Sequence, residues 1–378
     1  MLTRNIFNAE SADVIIIGGG VIGLAIAREL AQRGVRNVTL VERGELGAEA
    51  SWAAAGILAP QVEADRPDDF FRLACASRDL YPDFAAALLS ETGIDVELDQ
   101  TGTLYSGFTT SDEGEMRARF DWQVNAGLAV EWLSGDEARL LEPNLSSHVR
   151  CALRFPNDYQ VENRKLVKAL TVSNQRLGVQ LENNCEVRTL KFEKEKITGV
   201  ETSTGLLSAS VVIVAAGAWT SQIPTVSVPI DPVRGQMLCF NAPQFARHVI
   251  YSSRGYLVPR RDGRLLAGST SERAGFDRRV TEEGVQSIQS MAFEIAPRLE
   301  DLILTDLWAG FRPHAEDSLP VIGPDEEVAG LFYATGHYRN GILLAPITAR
   351  IMAESVVDGR LSLLTEKFSP SRFSRVSV

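Results

Sequence analysis

The stretch Asp13-Val14-Ile15-Ile16-Ile17-Gly18-Gly19-Gly20-Val21-Ile22-Gly23 constrains this chain more than any other. Four consecutive β-branched residues, Val14 to Ile17, predict a short strand buried on both faces of a parallel sheet. Gly18, Gly20 and Gly23 then fit G-x-G-x-x-G, and Val21, Ile22, Leu24, Ala25, Ile26 and Leu30 continue at helical spacing. Strand, glycine turn and helix, in that order, are the context a dinucleotide-binding turn needs. Gly18 permits the tight turn, Gly20 lets a pyrophosphate approach the backbone, and Gly23 lets the helix pack close to the strand. The helix start offers free N–H groups and the positive end of its dipole to the phosphates. Gly34 closes the helix, and Asn37 to Glu42 reads as a second strand ending in an acid. Glu42 stands about 20 residues beyond the glycines, where a carboxylate hydrogen-bonds an adenosine ribose. An ordinary strand–loop–helix unit with Glu42 on its surface is the bland alternative. These residues alone leave FAD and NAD open. Glu42 disfavours the 2′-phosphate of NADP, although Arg43 beside it would favour one.

The net charge of −11 over 378 residues makes a nucleic-acid partner an unsuitable reading. Cys75, Cys151, Cys185 and Cys239 are scattered without a C-x-x-C, which predicts a reducing compartment, no disulfide framework and no metal site. Met1 to Glu10 lack the apolar core of a signal peptide, and no apolar run reaches membrane-spanning length. The expectation is a cytoplasmic protein with no membrane contact, long enough for two domains.

Gly47 to Pro60 is dense in small residues, which lets a backbone lie against something flat. Residues 69–92 predict a helix that Pro82 breaks or kinks. Residues 96–108 read as strands around Gly102, and 163–177 as a helix. Residues 179–181, 185–187, 190–192, 197–200 and 206–207 read as a small antiparallel meander. Ser210 to Val214 is a second buried strand, expected to join the first sheet with Ala216 and Gly217 at its carboxyl end, where ligands bind in open α/β sheets. From Pro232 the pattern turns antiparallel. A two-residue Asp262-Gly263 hairpin would pair Arg261 with Arg264 and set Tyr256 opposite Ser269. A helix follows over 281–296. The last strand, Leu331 to Thr335, leads through Gly336-His337-Tyr338-Arg339-Asn340-Gly341-Ile342-Leu343-Leu344-Ala345-Pro346 into a helix expected from Ile347 to Val357, started by Pro346 and stopped by Gly359.

The opening glycines, Glu42, the small-residue stretch, Arg234-Gly235-Gln236, Ala309-Gly310-Phe311-Arg312-Pro313 and Gly336–Pro346 together resemble the D-amino-acid oxidase-like flavoprotein family. Within it they are most similar to the glycine oxidase group of thiamine biosynthesis. The resemblance covers most of the chain in the family's order. It implies an α/β fold: a Rossmann-type FAD-binding domain with parallel sheet and β-meander (11–62, 144–228 and 313–366), plus an antiparallel-sheet substrate domain (63–143 and 229–312). It implies FAD rather than NAD. It places FAD contacts on Gly18, Gly20, Val21, Ile22, Gly23, Glu42, Arg43, Ala50, Ser51, Ala55, Gly56, Ile57, Val187, Ala216 and Gly217. His337, Tyr338, Arg339, Asn340, Gly341, Ile342 and Leu343 would surround the isoalloxazine. Related enzymes attach FAD through a cysteine near the Arg312 region; this chain has none after Cys239, so non-covalent FAD is expected.

The family chemistry removes a hydride from the α-carbon of a small amino acid to flavin N5, giving an imine and, with dioxygen, hydrogen peroxide. Such chemistry asks the protein for position and electrostatics. The substrate carboxylate needs a cation, best a planar fork. The resemblance assigns that role to Arg312 and sets Arg339 in the pocket lining; Tyr256, on the antiparallel sheet, is the second candidate, its hydroxyl a donor to the same carboxylate. The bland readings are an interface salt bridge, a half-buried strand tyrosine and a structural contact. His337 is expected to touch flavin through its backbone; His148, His248 and His314 are expected at the surface. Arg254 and Ser271 stand where some glycine oxidases carry a pocket histidine and methionine, which leaves the substrate's identity open. Two alternatives remain: a D-amino-acid or proline-type dehydrogenase with another electron acceptor, and a non-catalytic flavin-binding subunit. The oligomeric state, including a homo-oligomer, is also open.

Overall fold

The computed structural model describes residues 12–360 and 363–373; the leader Met1–Glu10 lies outside them. The strand Ala12–Ile17 sits inside a sheet whose parallel core runs Leu331–Thr335, Gly205–Val214, Ala12–Ile17, Val38–Val41 and Gln180–Glu182. Val321–Pro324 adds an antiparallel edge beside Leu331–Thr335. The β-branched run feeds two cores at once. Val14 and Ile16 pack under the helices Val21–Gln32, Asp69–Thr92, Asn163–Arg176 and Gly341–Asp358. Ile15 and Ile17 face Val212, Val214, Ile230 and Tyr333 on the other side. Alternation across a strand is what permits this, and it accounts for the unbroken apolar pattern.

The expected junction of the second buried strand with the first is present: Ile15 pairs with Val212 and Ile17 with Val214. The meander differs from expectation. Residues 206–207 and 210–214 are one ten-residue strand, Gly205–Val214, with no turn residue between its halves. Its first half pairs with Lys196–Thr202, and that strand with Val187–Glu193. Gln180–Glu182 belongs to the parallel sheet instead.

The second sheet runs Leu304–Ala315, Ile230–Asn241, Arg264–Gly268, Gly255–Pro259, Val249–Ser252, Thr103–Gly107, Cys151–Phe155 and Glu131–Ser134. It is antiparallel except where Val249–Ser252 meets Thr103–Gly107. The helix Glu282–Ile295 covers its apolar face. Cys151–Phe155, expected within the 144–228 segment of the first domain, is hydrogen-bonded into this sheet, so the chain crosses back after Phe155. Leu304–Ala315 likewise runs past the boundary expected at 312. Residues 96–102 form no strand; Asp99 makes only an isolated bridge to Gln160.

Three local expectations are corrected. The helix Asp69–Thr92 continues past Pro82, so of the expected break or kink the break does not occur. The hairpin closes through three residues, Arg261 to Gly263, because Gly263 takes φ +92° and Arg260 pairs with Arg264. The register therefore shifts by one, and Tyr256 stands opposite Gly268 rather than Ser269. The last helix starts at Gly341, not Ile347, and Pro346 lies inside it. Gly359 ends it with φ +63°, as expected.

Candidate active site

One cleft of about 1870 Å³, its open mouth included, runs from the glycine turn to the face of the second sheet. At the turn, a Cβ on Gly18, which has φ +112°, would lie 2.4 Å from the Ala215 carbonyl oxygen of the adjoining strand. A Cβ on Gly23 would lie 2.0 Å from the Gly18 oxygen, so Gly23 lets the helix sit directly on the turn. A Cβ on Gly20 would meet only Ser51 Oγ, at 3.3 Å. That contact is tight but stands alone; the remaining open side is the cleft, which suits a ligand pressed against the backbone. Ser51 Oγ accepts from the Val21 N–H at 2.9 Å, holding the small-residue stretch against the helix start. The Glu42 carboxylate accepts from the N–H groups of Gly19 (2.8 Å) and Gly44 (2.9 Å), which fixes it at the cleft wall with lone pairs to spare. Arg43 stacks on Trp219 at 3.9 Å and pairs with Glu49, so its charge serves the local structure.

Ala50, Ser51, Ala55, Gly56 and Ile57 line the middle of the cleft, and Val187, Ala216 and Gly217 line it further round. Gly217 has φ +53° and its Cβ position meets no protein atom. His337, Tyr338, Arg339, Asn340, Gly341 and Ile342 line the far end. Gly23 and Leu343 do not reach the lining; Leu343 is 2% exposed and can offer only its backbone. The His337 side chain is buried, bonded to Thr348 Oγ1 at 3.1 Å, and burial pushes its pKa down to about 3.

Arg312 rises from the strand Leu304–Ala315 and crosses its partner strand at Gly235. A Cβ on Gly235 would lie 2.3 Å from the guanidinium, which explains the glycine in Arg234-Gly235-Gln236. Arg312 donates to the Thr270 carbonyl at 3.0 Å and to Ser269 Oγ at 2.5 Å, leaving others of its five N–H groups for an anion. Tyr256 Oη bonds the same Ser269 Oγ at 3.3 Å. Ser269 thus joins the two side chains expected to share a carboxylate. Arg339 donates to Glu63 at 2.8 Å, and Tyr251 Oη lies 3.3 Å from the same oxygen.

Sequence reasoning set Ser269 near Tyr256 without giving it a role at the site, and it missed Glu63 and Tyr251. Glu63 lies far along the chain from both Arg339 and Tyr251, and no local pattern marks that meeting. Two histidine expectations fail. His248 is buried against Glu142 at 2.7 Å, and His314 is buried between Ser318 and the Tyr338 ring. His148 is exposed, as expected. Arg254 is turned away from the cleft, paired with Glu294 at 2.8 Å. Ser271 Oγ lies 3.4 Å from Tyr338 Oη at the cleft's edge. Among the described residues no helix is long and apolar enough to cross a membrane, and no cluster of metal-ligating side chains occurs.

Residues 13–355 match the family described as DAO, FAD dependent oxidoreductase. The chain belongs to this family of FAD-dependent oxidoreductases. A glycine oxidase of Pseudomonas aeruginosa is 37% identical over 93% of this chain and 96% of its own. The bifunctional protein ThiO/ThiG of Trichormus variabilis is 37% identical over 96% of this chain and 55% of its own, so the chain spans about half the length of that relative. The crystal structure of glycine oxidase from Geobacillus kaustophilus superposes with a TM-score of 0.91 at 35% identity, covering 95% of this chain and 98% of that one. The FAD-dependent family thus accounts for the glycine turn, the fixed Glu42 carboxylate and the backbone-lined middle of the cleft, and all three fit an extended dinucleotide.

Proposed function

We propose that this protein oxidises the amine of a small amino acid, of which glycine is the leading candidate. The observation that carries this reading is that Arg312 and Tyr256, joined through Ser269, line the same cleft as the glycine turn. FAD supplies the hydride acceptor when bound and, with dioxygen as oxidant, hydrogen peroxide. The chain's own residues do the rest. Arg312 and Tyr256 hold the substrate carboxylate, and the Ser269 hydroxyl keeps both in place. Gly18, Gly20, Val21, Ile22 and Glu42 hold the pyrophosphate and ribose, without a covalent link. Ala50, Ser51, Ala55, Gly56, Ile57, Val187, Ala216 and Gly217 flank the extended cofactor, and the segment from His337 to Leu343 surrounds its ring. His337, neutral throughout the working pH range, supports the loop rather than acting as a base. Arg339, neutralised by Glu63, shapes the wall at the same end of the cleft.

The names of the relatives support an imine product that serves thiazole formation in thiamine synthesis. The test is anaerobic mixing of the FAD-loaded protein with glycine, sarcosine, D-alanine and D-proline. Bleaching of the flavin band by at least one is expected, with peroxide formed on admitting air. Absence of bleaching by all four overturns the reading.

A further inference from the structure

The helix Gly341–Asp358 carries a proline one turn past the residues that line the cleft. Pro346 has no N–H to give the carbonyl of Ile342, four residues back. The hydroxyl of Tyr81, from the middle of the helix Asp69–Thr92, donates to that carbonyl instead. One residue further on, the Ile347 N–H reaches Ser77 Oγ at 3.4 Å, and the Ser77 hydroxyl donates to the Leu343 carbonyl at 2.6 Å. Ser77 and Tyr81 stand four apart, so one helix face presents both hydroxyls to the defect. Tyr81 is fully buried, and burial pushes its pKa up, which keeps it an O–H donor.

The two hydroxyls act on different peptide units. The Ile342 carbonyl shares its peptide with the Leu343 N–H. Gly341, Ile342 and Leu343 are the first helical residues, whose N–H groups have no acceptor within the helix. The Leu343 carbonyl shares its peptide with the Leu344 N–H, which is already spent on the Asn340 carbonyl at 2.8 Å. Hydrogen bonds in a chain polarise one another, by roughly 10–30% per bond. Tyr81 therefore strengthens an open donor at the helix start, and Ser77 strengthens a closed one.

We propose that Tyr81 is a positioning residue which, through the Ile342–Leu343 peptide, raises the positive potential of the helix start and favours negative charge on the ring of bound FAD. This rests on the cofactor site described above and extends it to a side chain outside the cleft. The test uses FAD-loaded protein without amine. Sulfite adds its electron pair reversibly to oxidised flavin and leaves negative charge on the ring, so its dissociation constant reads this potential. Tyr81→Phe is expected to weaken sulfite binding about fivefold, equivalent to a fall of about 20 mV in the two-electron midpoint potential. Ser77→Ala, which removes two hydrogen bonds from the same turn where Tyr81→Phe removes one, is expected to change either by less than about twofold. Wild-type sulfite affinity and potential in Tyr81→Phe overturn the proposal. Equal shifts in both variants also overturn it, because general loosening would then be the cause. If Tyr81→Phe does not hold FAD, 3-fluorotyrosine at position 81 is the substitute. This stronger donor is expected to tighten sulfite binding, and no change overturns the proposal. A wild-type protein that held no FAD would overturn the cofactor assignment itself, a failure visible before any variant is made.

Discussion

The two ends of the cleft are built in opposite ways. The glycine-turn end is made from backbone supplied by nearly consecutive residues: Gly18, Gly20 and the helix start, with Glu42 just past the next strand. The far end is made from side chains of distant segments, Glu63, Tyr251, Tyr256, Arg312 and Arg339, with Ser269 bonded to two of them. A backbone site fails when a Cβ is added. A side-chain site fails when an atom is removed. Cofactor binding and turnover should therefore separate cleanly between variants of the two ends.

The sharpest break is Gly23→Ala. Its Cβ would stand 2.0 Å from the Gly18 oxygen, and the loss of FAD affinity is expected to reach about 100-fold, since overpacking of this kind costs about 1–3 kcal/mol. Fluorescence titration of the apoprotein with FAD measures it; near wild-type affinity would mean the turn can give way. Arg312→Ala should do the reverse. A drop of about 100-fold in kcat/KM is expected from the loss of a charged hydrogen-bonded pair, with FAD affinity unchanged. Loss of FAD in this variant would show that the two ends are not separable. Ser269→Ala should cost about tenfold, mostly in KM, because it frees Arg312 and Tyr256 without removing either.

The pH dependence sharpens the comparison at His337, beneath the loop that closes the far end. Its folded pKa, about 3, lies below the ordinary value of 6.5. The unfolded chain therefore binds this proton first as pH falls, and stability present above about 6.5 is lost on the way down to about 3. The wild type should lose up to about 1.4 kcal/mol per pH unit more than His337→Gln across that window, measured by denaturant unfolding. Equal slopes would remove His337 as the titrating group. The smallest effect is expected from Arg254→Ala. Its side chain pairs with Glu294 at the surface, and a change below about twofold in kcat/KM should follow.

The same contrast explains what could be read from the chain beforehand. Val14 to Ile17, the three glycines and Glu42 declare strand, turn and an acid at the next strand's end within thirty residues of one another, because local sterics and hydrogen bonding dictate that unit. The joining strand, Ser210 to Val214, was legible from its buried run. The hairpin register was not, because the loop length hung on one left-handed glycine. The start of the last helix was misplaced because Pro346 is a helix-start signal in sequence. Here its missing hydrogen bond is made good by Tyr81 and Ser77 from another helix. His248 and His314 look like surface residues until Glu142 and Ser318 are placed beside them.

The order of the segments thus determined by itself that the chain would build a nucleotide-binding α/β unit, and its motif set pointed to FAD. Only the tertiary structure decided that Ser269 joins Arg312 to Tyr256, that Glu63 neutralises Arg339, and that Arg254 faces away. Those pairings depend on side chains meeting across sheets at long sequence separation. Local propensity and spacing carry no information about which distant residue will stand opposite.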